Sequence, residues 1–178
     1  GVGEWATISI SKAENEKITL LQEIHFPHSI GMLYSAFTYF LGFKVNSGEY
    51  KLMGLSPYGN QTSEEVNRYK ALIYQHLILS KGENGFQLNM EYFTYLHDLK
   101  MIDEQKWENL FQIKFRKEEA PILQAHCDLA LAIQEVTEEL MLEILEYAKK
   151  LSPSKNLCLS GGVALNCVSN GKILHSQL

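Results

Sequence analysis

The feature that most constrains this chain is a long apolar periodicity near its end. Ile122, Leu129, Ile133, Val136, Leu140, Ile144, Ala148 and Leu151 recur at three-, four- or seven-residue spacing, which predicts one amphipathic helix. Glu135, Glu138, Glu139, Glu143 and Glu146 are expected on the opposite face. Lys149 and Lys150 fall in the last turn, where cations complement the helix dipole, and Ser152-Pro153 ends the helix. So long a stripe must be covered by the rest of the chain. The 178 residues are 46% hydrophobic and 21% charged, an ordinary globular composition that excludes disorder or collagen-like repeats as the main content. A chain of this length buries roughly 70% of its unfolded surface, enough for one domain over residues 1–178. A net charge of −5 gives no footprint for duplex DNA or anionic lipid, so neither nucleic acid nor membrane is an expected partner; small phosphorylated ligands stay open.

Residues 5–11 and 17–25 are β-rich and flank a polar turn at Lys12–Glu16, which predicts a hairpin fed by a glycine turn at Gly1–Gly3. After Pro27 and His28, Ser29 can cap a buried helix whose Leu33, Phe37, Phe40 and Leu41 share a face and which Gly42 stops. Residues 44–59 hold three glycines and a proline in sixteen positions, implying irregular backbone or a short, strongly bent helix. Thr62 with Glu65 reads as a capping box, and Val66, Tyr69, Ile73 and Leu77 carry a helical period to about Ser80. Residues 81–121 predict an excursion packed on the main body, with turns at Gly82, Asn84 and Gly85 and a short strand within Phe86–Phe93. Leu157-Cys158-Leu159 predicts a short buried strand, followed by Ser160-Gly161-Gly162 and a helix from about Val163.

Two places could carry chemistry. In the strand–Gly-Gly–helix unit, glycines let a ligand approach the backbone and the helix start offers unpaired N–H groups, which favours a phosphate or nucleotide. Asn166 is near enough to the turn to bond such a ligand, and Asn170 shares its face. The same Gly-Gly also fits a plain tight connection. In the second place, Gly48, Gly54 and Gly59 surround Glu49 and Lys51, and Lys51 could neutralise charge on an oxygen. Solvated loop residues fit that pattern equally. His25 and His28 straddle Pro27, so helical metal-ligand geometry is not available to them and a structural role is expected. Three cysteines without a C-x-x-C fit a reducing cytoplasm; Cys127 and Cys158 read as small core residues, and Cys167 has no basic partner to activate it. No stretch matches a secretory leader or the roughly 20 apolar residues of a spanning helix. Gly1 in place of an initiator Met, and a stop at Leu178 a few residues into a helix, predict a segment of a longer chain.

Several runs together resemble one family: Gly1-Val2-Gly3-Glu4-Trp5, FPHSIGMLYSAFTYFLGF at 26–43, VNSGEYKLMGLSPYG at 45–59, DLALAIQEVTEEL at 128–140 and LSGGVALNCVSNGKIL at 159–174. They are similar to the NodU/CmcH-type O-carbamoyltransferases. The resemblance implies the second half of an actin-like ATPase (ribonuclease H-like) domain of mixed α/β class. It implies ATP and carbamoyl phosphate as substrates, carbamoyl-adenylate as intermediate, a hydroxyl acceptor, and a C-terminal YrdC-like domain as partner. By the resemblance, Gly1 and Gly3 belong to a loop near the phosphate. Lys51, Glu49 and Gly54 line the carbamoyl-adenylate pocket, and Ser160, Gly161, Gly162 and Asn166 cradle the adenosine. A divalent metal, iron or magnesium, is implied with its ligands outside this segment, so the segment alone is expected to be inactive. Surfaces left bare by such a cut could pair two copies. The alternatives are a threonylcarbamoyl-transferase, an actin-like kinase or a non-catalytic scaffold. Tyr50-Lys51 directly after Glu49 favours the first family over the tRNA enzyme, which carries Asp-Lys there.

Overall fold

A computed structural model describes residues 1–81 and 85–176. It is a mixed helix-and-strand structure in which helices dominate. A hairpin of β1 (Ala6–Glu14) and β2 (Lys17–His25) is followed by α1 (Ile30–Phe40), α2 (Glu49–Leu55) and α3 (Glu64–Leu72). The short strands β3 (Ile78–Ser80) and β4 (Gln87–Leu88) precede α4 (Glu104–Phe111), α5 (Gln124–Leu151) and α6 (Cys167–His175). Among the described residues the only sheets are two antiparallel pairs, β1 with β2 and β3 with β4.

The hairpin forms as the alternation predicts. Glu14 pairs with Lys17, and Asn15 turns the chain with φ 55°. Its far end reaches solvent, leaving Ile18 and Leu20 exposed, while Thr7 at its base is buried and donates to the Ile24 carbonyl (3.0 Å). Ser29 caps α1 as expected: its hydroxyl accepts from the Met32 amide (3.2 Å). Gly42 follows the last turn with φ 71°. The 44–59 segment resolves into α2 and a tight 3-10 turn at Ser56–Tyr58.

α5 is the axis of the core. Leu129, Ile133 and Val136 are fully buried, against α1, α2, α3 and the turn after α2. Residues 101–113 add the aromatic centre. Trp107 sits edge-on to Phe37 at 4.7 Å between ring centroids, with Phe40, Phe93 and Phe111 around it. Its indole N–H donates to the Tyr92 carbonyl (2.9 Å), so the largest core side chain leaves no buried donor unpaired.

Five sequence expectations need correction. The cap of α3 is Ser63, which accepts from the Glu65 amide (3.1 Å), whereas Thr62 turns back to Asn60. The helical period does not run on to Ser80: it widens into a π-turn at Ile73–Leu77 and gives way to β3. The glutamates of α5 do not all lie opposite its buried face. Lys70 of α3 reaches both Glu135 (2.8 Å) and Glu139 (2.7 Å), and Glu138 is buried. Leu157–Leu159 is neither a strand nor buried, because no described strand lies beside it to complete a ladder and an isolated strand has no stability in water. Cys158 is exposed for the same reason, whereas Cys127 is buried as expected. The turns predicted at Gly82 and Asn84 lie outside the described residues; within Phe86–Phe93 the strand shrinks to Gln87–Leu88, followed by a 3-10 turn at Met90–Tyr92.

His28 and His126 have structural roles. The Nδ1 of His28 accepts from the Leu88 amide (3.1 Å), and that of His126 accepts from the Leu123 amide (3.0 Å) at the start of α5. Burial lowers the pKa of both, and the nearby Arg116 guanidinium lowers His126 further.

Candidate functional site

The glycine-rich segments far apart in sequence meet at the start of α1. The Ser29 hydroxyl donates to the Gly1 carbonyl (2.8 Å), which fastens the first residues to the helix cap. A Cβ on Gly31 would lie 3.0 Å from the Gly1 Cα and 3.3 Å from a Val163 methyl, and a Cβ on Gly1 would lie 3.8 Å from the Gly162 nitrogen. Hence Gly1, the first turn of α1 and Gly162-Val163 are in contact, and a side chain at 31 would wedge them apart. Gly3 closes the adjoining turn by donating to the Ala6 carbonyl (3.0 Å).

The second glycine pair is open. Gly161 has φ 102°, a conformation that L side chains rarely adopt, and nothing lies within 4 Å of where a Cβ on Gly161 or Gly162 would stand. Ser160, Gly161 and Gly162 are all exposed. This is backbone that a ligand can approach closely.

α2 touches the same region through Met53, whose sulfur lies 3.9 Å from that of Cys167, the first residue of α6; Lys51, two residues earlier, projects from another face of the helix. Lys51 and Gly54 are three apart on the helix, so they share a face; both are exposed, and the space around Gly54 is empty. The Lys51 side chain has no hydrogen bond or ion pair among the described residues, so its ammonium is free to meet an anion. Glu49 is differently placed. Its carboxylate accepts from the Ser35 hydroxyl (2.8 Å) and the Asn46 (3.0 Å) and Gly48 (3.2 Å) amides, so it clasps the loop that carries α2.

Asn166 is also occupied by its own chain. Its side-chain oxygen caps α6 by accepting from the Ser169 amide (3.0 Å), and its amide pairs with Gln134 of α5. Asn170 donates to the Ala164 carbonyl (2.8 Å), holding the 3-10 turn Val163–Leu165. Sequence reasoning missed Gln134, Glu138, Ser169 and Tyr34, which form a buried polar cluster beneath the Gly-Gly turn. Gln134 was visible as an uncharged polar residue directly after Ile133 of the apolar stripe. Tyr34 donates to Gln134 (2.9 Å). Burial, then the negative charges of Glu138 and Glu49, push its pKa well above the usual tyrosine value, so it remains a protonated donor. Lys172 (3.3 Å) partly balances the buried Glu138. Gly31 was likewise missed; a glycine two residues after a helix cap was the available signal.

The whole of residues 1–178 matches the family model described as the carbamoyltransferase N-terminus. The chain belongs to the carbamoyltransferase family. It is similar to nodulation protein NolO of Bradyrhizobium diazoefficiens (32% identity over 89% of this chain and 26% of the relative). It is also similar to nodulation protein NolNO of Sinorhizobium fredii (31% identity over 100% of this chain and 23% of the relative). An uncharacterized protein of Synechocystis sp. is 49% identical over 98% of this chain and 27% of its own length. The chain thus spans about a quarter of the length of these relatives. Among the described residues no three His, Cys, Asp or Glu side chains gather closely enough to hold a metal ion, so these residues do not by themselves fit the metal the resemblance implies. No described helix is long and apolar enough to cross a membrane.

Proposed function

We propose that this carbamoyltransferase chain forms the nucleotide-side wall of an O-carbamoyltransferase active site, within the second half of an actin-like domain. The observation that carries the reading is the convergence of Gly1, Gly31 and Gly162 beside open backbone at Gly161-Gly162, with α2, which carries the exposed Lys51, touching the start of α6 through Met53. Open glycines at a helix start suit a phosphate or nucleotide. The substrates are then ATP and carbamoyl phosphate, converted to carbamoyl-adenylate with release of inorganic phosphate and pyrophosphate, with the help of a YrdC-like domain elsewhere in the protein.

The transfer itself is a substitution at a carbonyl. The acceptor hydroxyl oxygen attacks the carbamoyl carbon, the bond from that carbon to the AMP phosphate oxygen breaks, and the hydroxyl proton passes to solvent or a base. Negative charge grows on the carbonyl oxygen and on the leaving phosphate. Lys51 supplies a positive charge for it, and the backbone of Ser160, Gly161 and Gly162 lies against the nucleotide. Glu49 and Asn166 shape the walls, one fixing α2 and the other fixing α6. A metal, if the site uses one, draws its ligands from other parts of the protein. A cytoplasmic setting suits such substrates and the free cysteines.

The test is to incubate the full-length protein with ATP and isotopically labelled carbamoyl phosphate and to follow AMP release and label on an alcohol acceptor. Label transfer that depends on ATP is the expected result. Label transfer that proceeds equally without ATP would remove the carbamoyl-adenylate reading.

A further inference from the structure

Gln134 lies on α5 at 1% exposure, inside the buried cluster it forms with Tyr34, Glu138 and Ser169. A buried amide is retained in such a place only if its hydrogen bonds are made. Its oxygen accepts from the Tyr34 hydroxyl (2.9 Å) and from the Asn166 side-chain amide (3.0 Å). Its nitrogen donates to the Asn166 oxygen (3.1 Å) and to Glu138 (2.9 Å). The two amides therefore face each other in a closed, reciprocal pair.

Asn166 is the hinge between the Gly-Gly turn and α6. Its backbone N–H donates to the Val163 carbonyl (3.0 Å), and its side chain caps α6. The other backbone bonds of the turn are local: Ala164 to Gly161 (3.1 Å) and Leu165 to Gly162 (3.1 Å). They shape the turn without tying it to the helical body. The Gln134–Asn166 pair does tie it, and it joins a rigid, buried helix to an exposed loop.

We propose that Gln134 is a positioning residue for the nucleotide site, holding the Gly161-Gly162 turn in register through Asn166. This rests on the nucleotide reading above and adds a residue that touches no ligand. In the full-length protein, Gln134→Met keeps the side-chain length and removes both amide bonds. It should raise the calorimetric Kd for ATP about tenfold. In an Asn166→Ser background, which keeps a helix cap without the amide pair, the same substitution should change Kd less than about twofold. A merely structural Gln134 would weaken binding equally in both backgrounds, and that result overturns the proposal, as does a folded Gln134→Met variant with wild-type affinity. If Gln134→Met fails to fold, Gln134→Glu carries the same comparison, since it still accepts from Tyr34 and Asn166 but cannot donate to the Asn166 oxygen. If the wild-type protein binds no ATP, the nucleotide reading fails on its own. Amide hydrogen exchange at residues 166–169 then decides the positioning: faster exchange in the variant supports it, and unchanged exchange overturns it.

Discussion

The helical body and the segment after α5 contain similar apolar residues in opposite states. In the body, Leu129, Ile133 and Val136 are fully buried; after α5, Leu157 is 54% exposed, Leu165 80% and Leu174 81%. The difference is one of partners. α5 has helices on its apolar side, and the aromatic group around Trp107 fills the space between them. The 153–166 segment has no described strand beside it, and α6 meets α5 through a seam of polar contacts from Gln134 to Lys172. The candidate site lies on that seam, where open glycine backbone is fixed to a rigid helix. Burial supplies the stability and the seam supplies the access.

The largest expected effect lies in the body. Trp107→Ala removes the centre of the aromatic cluster and should cost about 3–5 kcal/mol in urea unfolding. A loss below about 1 kcal/mol would mean that residues 101–113 do not share the core. On α2, Lys51→Met should lower kcat/KM for carbamoyl transfer about 10²–10³-fold, the size expected for one lost oxyanion partner. Lys51 is exposed, so the unfolding midpoint should hold; activity surviving intact would remove Lys51 from the site.

A pH titration separates the body's two structural histidines from the solvated remainder. Both use Nδ1 as an acceptor, so protonation breaks a bond to a backbone amide, and at His126 it also places a cation at a helix start beside Arg116. Their folded pKa values lie below the unfolded value of about 6.5, so the unfolded chain takes up protons first. Stability should be full above that pH and fall as pH drops below it, and a His28→Gln, His126→Gln double variant should flatten the decline. A decline just as steep in the double variant would assign it to carboxylates. The smallest effect belongs to the exposed segment: Leu159→Ser should shift stability by less than about 0.5 kcal/mol. A loss of about 2 kcal/mol would show that Leu159 is packed.

What could be read from the sequence was what local periodicity and capping encode. The hairpin, α1 with its Ser29 cap and the α5 stripe each follow from spacing within a few turns. The strand at Leu157–Leu159 could not be judged that way, because a β-segment needs a neighbour that local pattern does not reveal. The glycine segments and Lys51 could be named from motif runs, but the meeting of Gly1 with Gly162-Val163 depended on Gly31, whose role is visible only as a close approach of backbone. Gln134 and Glu138 sat in the α5 pattern as ordinary polar residues. Their burial is set by α6 docking some thirty residues later in the chain.

The most direct test uses the open glycine that is not strained. Gly162 has φ −58° and ψ −40°, and nothing stands within 4 Å of where its Cβ would be. Gly162→Ala should therefore leave the unfolding free energy unchanged or raise it by up to about 1 kcal/mol. If ATP lies against this backbone, the same methyl group should raise the calorimetric Kd for ATP in the full-length protein about tenfold or more. Stable protein with weakened binding is the expected result; stable protein that binds ATP as tightly as the wild type would contradict a nucleotide at the Gly161-Gly162 turn.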